Sequence, residues 1–117
     1  MRVVHYPASG GGQSVLATDV ELATSRLEQA RGLMFRRSIP DDYALAFIFD
    51  ASKIRDVHML FVFVSIDAIW VADGVVTQVK PLRPWLGFGR ADADLLLELP
   101  AGTAADVEAG DRIVLTE

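Results

Sequence analysis

Apolar residues recur along this chain with two different periods. From Ser25 the spacing is helical: Leu27, Ala30 and Met34 fall on one stripe, which Leu33 widens. Ser25 and Glu28 are the ends of a capping box, in which the Ser hydroxyl accepts from the Glu backbone N–H and the Glu carboxylate reaches back. The pattern predicts a helix over Ser25–Met34, ending at Phe35-Arg36-Arg37, where two cations suit the negative end of the helix dipole. Ile39-Pro40-Asp41-Asp42 then reads as a loop.

Elsewhere the period is two, or the apolar run is continuous, and turn residues break it up. Strands are predicted at Arg2–Tyr6, Val15–Leu22, Ala44–Phe49, Val57–Val64, Asp67–Ala72, Val75–Lys80, Asp94–Leu99 and Arg112–Thr116. Asp73-Gly74 is the sharpest turn signal, since Asp-Gly tolerates the positive φ of a type I′ hairpin. A two-residue loop there sets Ala72 opposite Val75, Trp70 opposite Thr77 and Asp67 opposite Lys80. Residues 81–93 hold two prolines, two glycines, Trp85, Leu86 and Phe88, and read as a long loop that packs down. Thr103–Ala109 is at most a helical turn. The expected fold is α+β and mainly β: a small barrel-like or closed sheet of about seven short strands with one helix, closure removing unpaired edges.

Composition narrows the picture. At 117 residues the chain suits one domain, 1–117, in which 1–14 form a strand and a Gly-rich loop. Zero Cys excludes a disulfide framework, a thiolate zinc site and a cysteine nucleophile. The longest apolar run, Val57–Val64, is far shorter than the roughly 20 residues a spanning helix needs, and the N-terminus shows no signal-peptide pattern. A soluble cytoplasmic domain with no membrane partner is expected. The net charge is −5, with residues 91–117 carrying one Arg against seven acids, so general polyanion binding and a nucleic-acid partner are not expected. Ser9-Gly10-Gly11-Gly12-Gln13 lacks the Lys and Ser/Thr that a phosphate loop needs, and reads as a flexible connector.

Several pieces resemble the domain of unknown function 192 family. They are Arg31-Gly32-Leu33-Met34-Phe35-Arg36 closing a helix, Phe47-Ile48-Phe49, His58-Met59, Asp67 before an apolar strand and the Asp73-Gly74 turn. Leu97-Glu98-Leu99-Pro100-Ala101-Gly102, followed by Gly110-Asp111, completes the set, and the resemblance covers roughly residues 15–115, a core reaching 117. It implies a compact, mostly β domain and no agreed biochemical function. Where many relatives look like Phe-Trp-Met, Lys-Asn-Thr and Pro-Leu-Asp, this chain has Val57-His58-Met59, Leu60-Phe61-Val62 and Ser65-Ile66-Asp67. A site built on the polar trio is altered here.

Two sets of candidate residues remain. His58 and Asp67 are the polar groups of an apolar stretch. On strands joined by a Ser65-Ile66 turn they share a face, the arrangement acid–base chemistry needs. The duller reading makes His58 a neutral core residue and Asp67 a structural ion or hydrogen-bond partner, with Lys80, Arg31 or backbone N–H groups as its mates. The second set is Lys80, Arg83, Trp85, Phe88 and Arg90 around the 81–90 loop, with Arg31 nearby if the helix packs that way. Cations beside flat rings suit a small anionic or aromatic ligand, or a protein partner. Alternatively, Trp85 and Phe88 plug one end of the sheet. With two His and no Cys, neither a metal nor another cofactor is expected. The expected function is a small non-enzymatic binding or interaction module using the Lys80–Arg90 surface. The alternative is a cofactor-free enzyme using His58 and Asp67. Two apolar faces on Val57–Val64 also make a homodimer an option.

Overall fold

Eight strands and one short helix follow the order β1 (Arg2–Tyr6), β2 (Ser14–Ala17), β3 (Asp19–Ala23), α1 (Arg26–Arg31), β4 (Tyr43–His58), β5 (Ile66–Ala72), β6 (Val75–Leu82), β7 (Phe88–Pro100) and β8 (Arg112–Thr116). The computed structural model describes residues 1–117, the side chains of Arg26 and Leu27 excepted, so the predicted place of Leu27 in the helical stripe lies outside the described residues. The strands form a single sheet in the order β2-β1-β8-β6-β5-β7-β4-β3. All pairs are antiparallel except β3 with β4, which are parallel.

The expected closed sheet is not formed: among the described residues no ladder joins β2 to β3. These outermost strands are nonetheless consecutive in sequence and separated by Thr18 alone. The sheet must therefore curl strongly for the chain to step from one edge to the other. The Thr18 and Asp19 N–H groups both donate to the Asp42 carbonyl at 3.0 Å, and the Thr18 hydroxyl donates to the Asp42 carboxylate at 3.0 Å. All eight strands send apolar side chains into one cluster, Val3, Ala17, Ala44, Ala46, Ile69, Val71, Val76, Leu97, Leu99 and Ile113 among them, with Val20 and Leu22 against it. That cluster fills the concave side of the curl.

The alternate residues of the central strands make a second cluster on the convex side. Leu45, Phe47, Ala68, Trp70 and Leu96 belong to it, and Leu33, Met59 and Val62 cover it from loops. Burial on both faces explains why β5 and the inner half of β7 read as nearly continuous apolar runs. Trp70 lies across Gly89, where a Cβ would come within 2.3 Å of the indole, and its Nε1–H donates to the Arg55 carbonyl at 2.9 Å.

Helix α1 begins as expected, with both halves of the Ser25–Glu28 capping box in place, but it stops at Gly32 rather than at Met34. The predicted strand Val15–Leu22 is two strands on opposite edges. The predicted strands at Ala44–Phe49 and Asp94–Leu99 extend outward as one long pair, β4 with β7; Asp50–Ile54 of the extension is exposed, whereas Val57, Gly89 and Ala93 are buried. Residues 88–93, expected in a loop, belong to this ladder. The Asp73-Gly74 hairpin sets Ala72 opposite Val75 as expected, yet a bulge at Thr77 then moves Trp70 opposite Gln78, Ala68 opposite Lys80 and Asp67 opposite Pro81. The Thr77 hydroxyl takes up the kink, its single proton shared between the Asp92 carbonyl at 2.6 Å and the Trp70 carbonyl at 3.2 Å.

Val57–Val64 is not a strand. β4 ends at His58, and Val62 N–H donates to Met59 O at 3.0 Å, closing a β-turn with Phe61 at φ 61° in its third position. That position favours Gly or Asn. The run is continuous in sequence because inward Val57, Met59 and Val62 alternate irregularly with outward Leu60, Phe61 and Phe63.

Candidate functional site

A cavity of about 410 Å³ opens on the convex face, between the end of α1 and the β4–β7 pair. Gly32, Leu33 and Met34 bound it on one side, and Phe47, Phe49, Val62 and Leu96 supply apolar wall. Its polar lining comes from Gln29, Arg31, Arg55, Asp56, His58 and Glu98.

Three of these six polar groups are committed elsewhere. Gln29 donates to the carbonyls of Ala23 and Ile48, fastening the helix to the sheet. Arg55 donates to the carbonyls of Ala51 and Ala93 and stacks over Phe49, 3.9 Å from the ring centroid. Asp56 accepts both arms of the Arg90 guanidinium at 2.6 and 3.1 Å, which holds its carboxyl below the usual range.

Glu98 is different. It sits in β7 between Leu45 and Ala68 of the neighbouring strands and is 6% exposed. Among the described residues its carboxyl has no hydrogen-bond partner, although no fully buried side-chain oxygen or nitrogen lacks one. Its oxygens are therefore reached from the cavity, where Oε1 also lies 3.7 Å from the position a Cβ on Gly32 would take. Burial without a compensating charge pushes its pKa up to about 7. The sequence carried a signal for it: Glu98 is a lone charge within Leu95–Leu99, the same pattern that singled out Asp67.

His58 is exposed at the end of β4 and lines this cavity, contrary to the core position its apolar neighbours suggested. Its Nδ1 accepts from Leu60 N–H at 3.3 Å, which leaves Nε2 to carry the proton of the neutral ring. Asp67 does not join it. It keeps the parity of Ile69 and Val71 and so faces the concave cluster, where Oδ2 accepts from Gly102 N–H at 3.0 Å and Ala104 N–H at 2.9 Å. Its partners are backbone N–H groups of the 100–107 turn, one of the alternatives open in the sequence. Another buried carboxylate works similarly: Asp111 accepts from Ala8 N–H, Glu108 N–H and the His5 ring, and these bonds lower its pKa.

The second predicted set is spread over β6, β7 and the loop between them. Lys80 Nζ donates to the Phe88 carbonyl at 2.6 Å, and Arg90 is paired with Asp56. Trp85 and Phe88 do not plug the sheet; they are 43% and 49% exposed. Arg31, at the last turn of α1, lines both this cavity and a smaller one of about 180 Å³ bounded by Glu21, Glu28 and Arg36.

The model of the domain of unknown function 192 family, described as an uncharacterized ACR, matches residues 8–115. The chain belongs to that family. A protein from Sinorhizobium meliloti 1021, named a "putative transcription regulator", superposes with a TM-score of 0.82 at 27% identity, covering 97% of this chain and 91% of its own. A protein of unknown function from Novosphingobium aromaticivorans DSM 12444 superposes with a TM-score of 0.81 at 26% identity, covering 98% and 84% respectively. No curated protein matches this member of the domain of unknown function 192 family. No helix is long and apolar enough to cross a membrane among the described residues.

Proposed function

We propose that this domain is a small-ligand binding module whose site is the cavity over Glu98. The carrying observation is the Glu98 carboxyl, buried yet unpartnered among the described residues, in an open pocket whose lining mixes polar and apolar groups. Such a group is costly unless something accepts its proton or pairs with it, and a bound molecule does so. With a pKa of about 7 it is largely protonated in mildly acidic solution and donates an O–H. Arg31 adds positive charge at the mouth, and Phe47, Val62 and Leu96 exclude water. The ligand class is a compact apolar body bearing a carboxylate or carbonyl acceptor.

A binding role is favoured over catalysis because the Asp67 carboxylate is occupied by two backbone N–H groups on the opposite face from His58. The Lys80–Arg90 surface is weakened as an anion site, since Lys80 and Arg90 are both engaged. The name of the Sinorhizobium protein invites a nucleic-acid reading for this chain, against which stand the net charge of −5 and the engaged cations.

Saturation-transfer NMR with benzoate, and benzamide as the neutral comparison, tests the reading. Benzoate is expected to bind, more weakly above pH 7 as Glu98 ionises, and about tenfold more weakly in Arg31→Gln. Absence of transfer to both probes, or weakening above pH 7 that persists unchanged in Glu98→Gln, overturns it.

A further inference from the structure

Three separate tight turns each place an aromatic residue in a left-handed conformation, and the three rings meet. Phe35 (φ 68°) lies within the turn closed by Arg36 N–H to Leu33 O, and Phe61 (φ 61°) within the Met59–Val62 turn. Trp85 (φ 66°) is the centre of a three-residue turn closed by Leu86 N–H to Pro84 O at 2.7 Å. Bulky side chains seldom adopt this conformation, and when they do the surroundings must enforce it. Here the turns are laced together: Phe35 N–H donates to Phe61 O at 2.8 Å, and Trp85 N–H donates to Met59 O at 3.0 Å. The rings form a chain, Phe35 to Phe61 at 5.3 Å, Phe61 to Trp85 at 5.1 Å and Trp85 to Phe63 at 5.6 Å between centroids.

The strain does not serve burial. Phe35 is 58% exposed, Phe61 44%, and Leu60 and Leu86 beside them 52% and 74%. None of these residues lines either cavity, so the patch projects from loop tips rather than forming a groove. Its charge is equally distinctive. Segments 32–39, 59–65 and 83–88 contain Arg36, Arg37 and Arg83 and no acidic residue, in a chain whose net charge is −5. Arg36 is held by Glu21 at 2.7 Å, and Arg37 and Arg83 are exposed.

We propose that this aromatic tip is a docking surface for an anionic lipid bilayer, the rings entering the interface while Arg37 and Arg83 face lipid phosphates and carboxylates. Aromatic side chains concentrate at membrane–water interfaces, and basic residues beside them add attraction to anionic headgroups. A second copy of the same patch would set like charges against each other, which disfavours a symmetric dimer through this face. Absence of a spanning helix is no obstacle, because surface docking requires none.

Sedimentation with vesicles of equal parts phosphatidylserine and phosphatidylcholine, against phosphatidylcholine alone, is the test. Binding is expected only to the mixed vesicles, weakening with added salt, with a blue shift from Trp85 that is lost in Trp85→Phe; Trp70 is fully buried and stays silent. Phe35→Asn combined with Phe61→Asn removes two rings while installing a residue that tolerates positive φ. This double variant is expected to melt no lower than the parent and to bind at least about tenfold more weakly. Equal partition into both vesicle types overturns the proposal, as does full binding by the double variant. A concentration-dependent dimer abolished by Phe61→Asn, without vesicle binding, assigns the surface to a second copy instead.

Discussion

Replacing Glu98 by Gln keeps the shape of the side chain and removes its titration. In the folded protein burial holds the carboxyl pKa at about 7, against 4.5 for the unfolded chain. Well below pH 4.5 both states are protonated and burial of the charge carries little penalty. As pH rises toward 7 the unfolded state releases its proton while the native state keeps it, so stability falls; above 7 the native carboxyl ionises and the loss levels off. A displacement of this size corresponds to roughly 3 kcal/mol at 1.36 kcal/mol per unit. Urea denaturation followed by circular dichroism, run on both proteins from pH 4.5 to about 8, gives the stability difference at each pH. Glu98→Gln is expected to gain on the parent up to about pH 7 and to hold that gain above it. Taking the difference cancels the contributions of other titrating groups. A constant difference would refute the reasoning, because it would mean that water solvates the carboxylate as well in the fold as outside it.

The remaining expectations concern packing and the other buried carboxylates. Asp67→Asn weakens two charge-assisted bonds to the 100–107 turn and should cost about 1–2 kcal/mol in urea denaturation, an unchanged midpoint denying Asp67 its structural role. Gly89→Ala forces a Cβ into the Trp70 indole and should destabilise by at least about 1–3 kcal/mol, with a changed near-ultraviolet signal; a neutral substitution would show that the indole has room to move. Asp111→Asn should act opposite in sign to the Glu98 variant. The folded-state pKa of Asp111 is lowered, so its contribution is present above the ordinary carboxylate range and fades as pH falls, and the stability gap to the parent should narrow in acid.

Local chemistry was legible in the sequence wherever a feature depended on neighbours in the chain. The Ser25–Glu28 box and the Asp73-Gly74 hairpin are such cases, each complete within four residues. Features set by distant contacts were not. The outer half of β4, Asp50–Asp56, is polar because it pairs along its edge without packing beneath solvent-free layers, so no periodicity marks it as strand. Val57–Val64 reads as a strand because hydrophobicity alone does not separate a residue held inward from one held outward. The bulge at Thr77 shifts the hairpin register through hydrogen bonds to Trp70 and to Asp92 on another strand. His58 and Asp67 stand out as polar groups in apolar sequence, yet strand parity sends Asp67 to the opposite face, and Glu98 bears the same signature beside the cavity.

The crossover at Thr18 determines where this chain accepts changes of length. The step from β2 to β3 spans the gap between the outer edges of the sheet with one residue, and Asp42 grips it with three hydrogen bonds. An inserted residue there would slacken the curl and let water into the concave cluster that all eight strands share. At Gly10–Gly12 an added Cβ meets nothing within 4 Å, so the same insertion would lengthen only a surface loop. Length variation should therefore gather in the glycine connector and be absent at Thr18, although the two lie only a few residues apart.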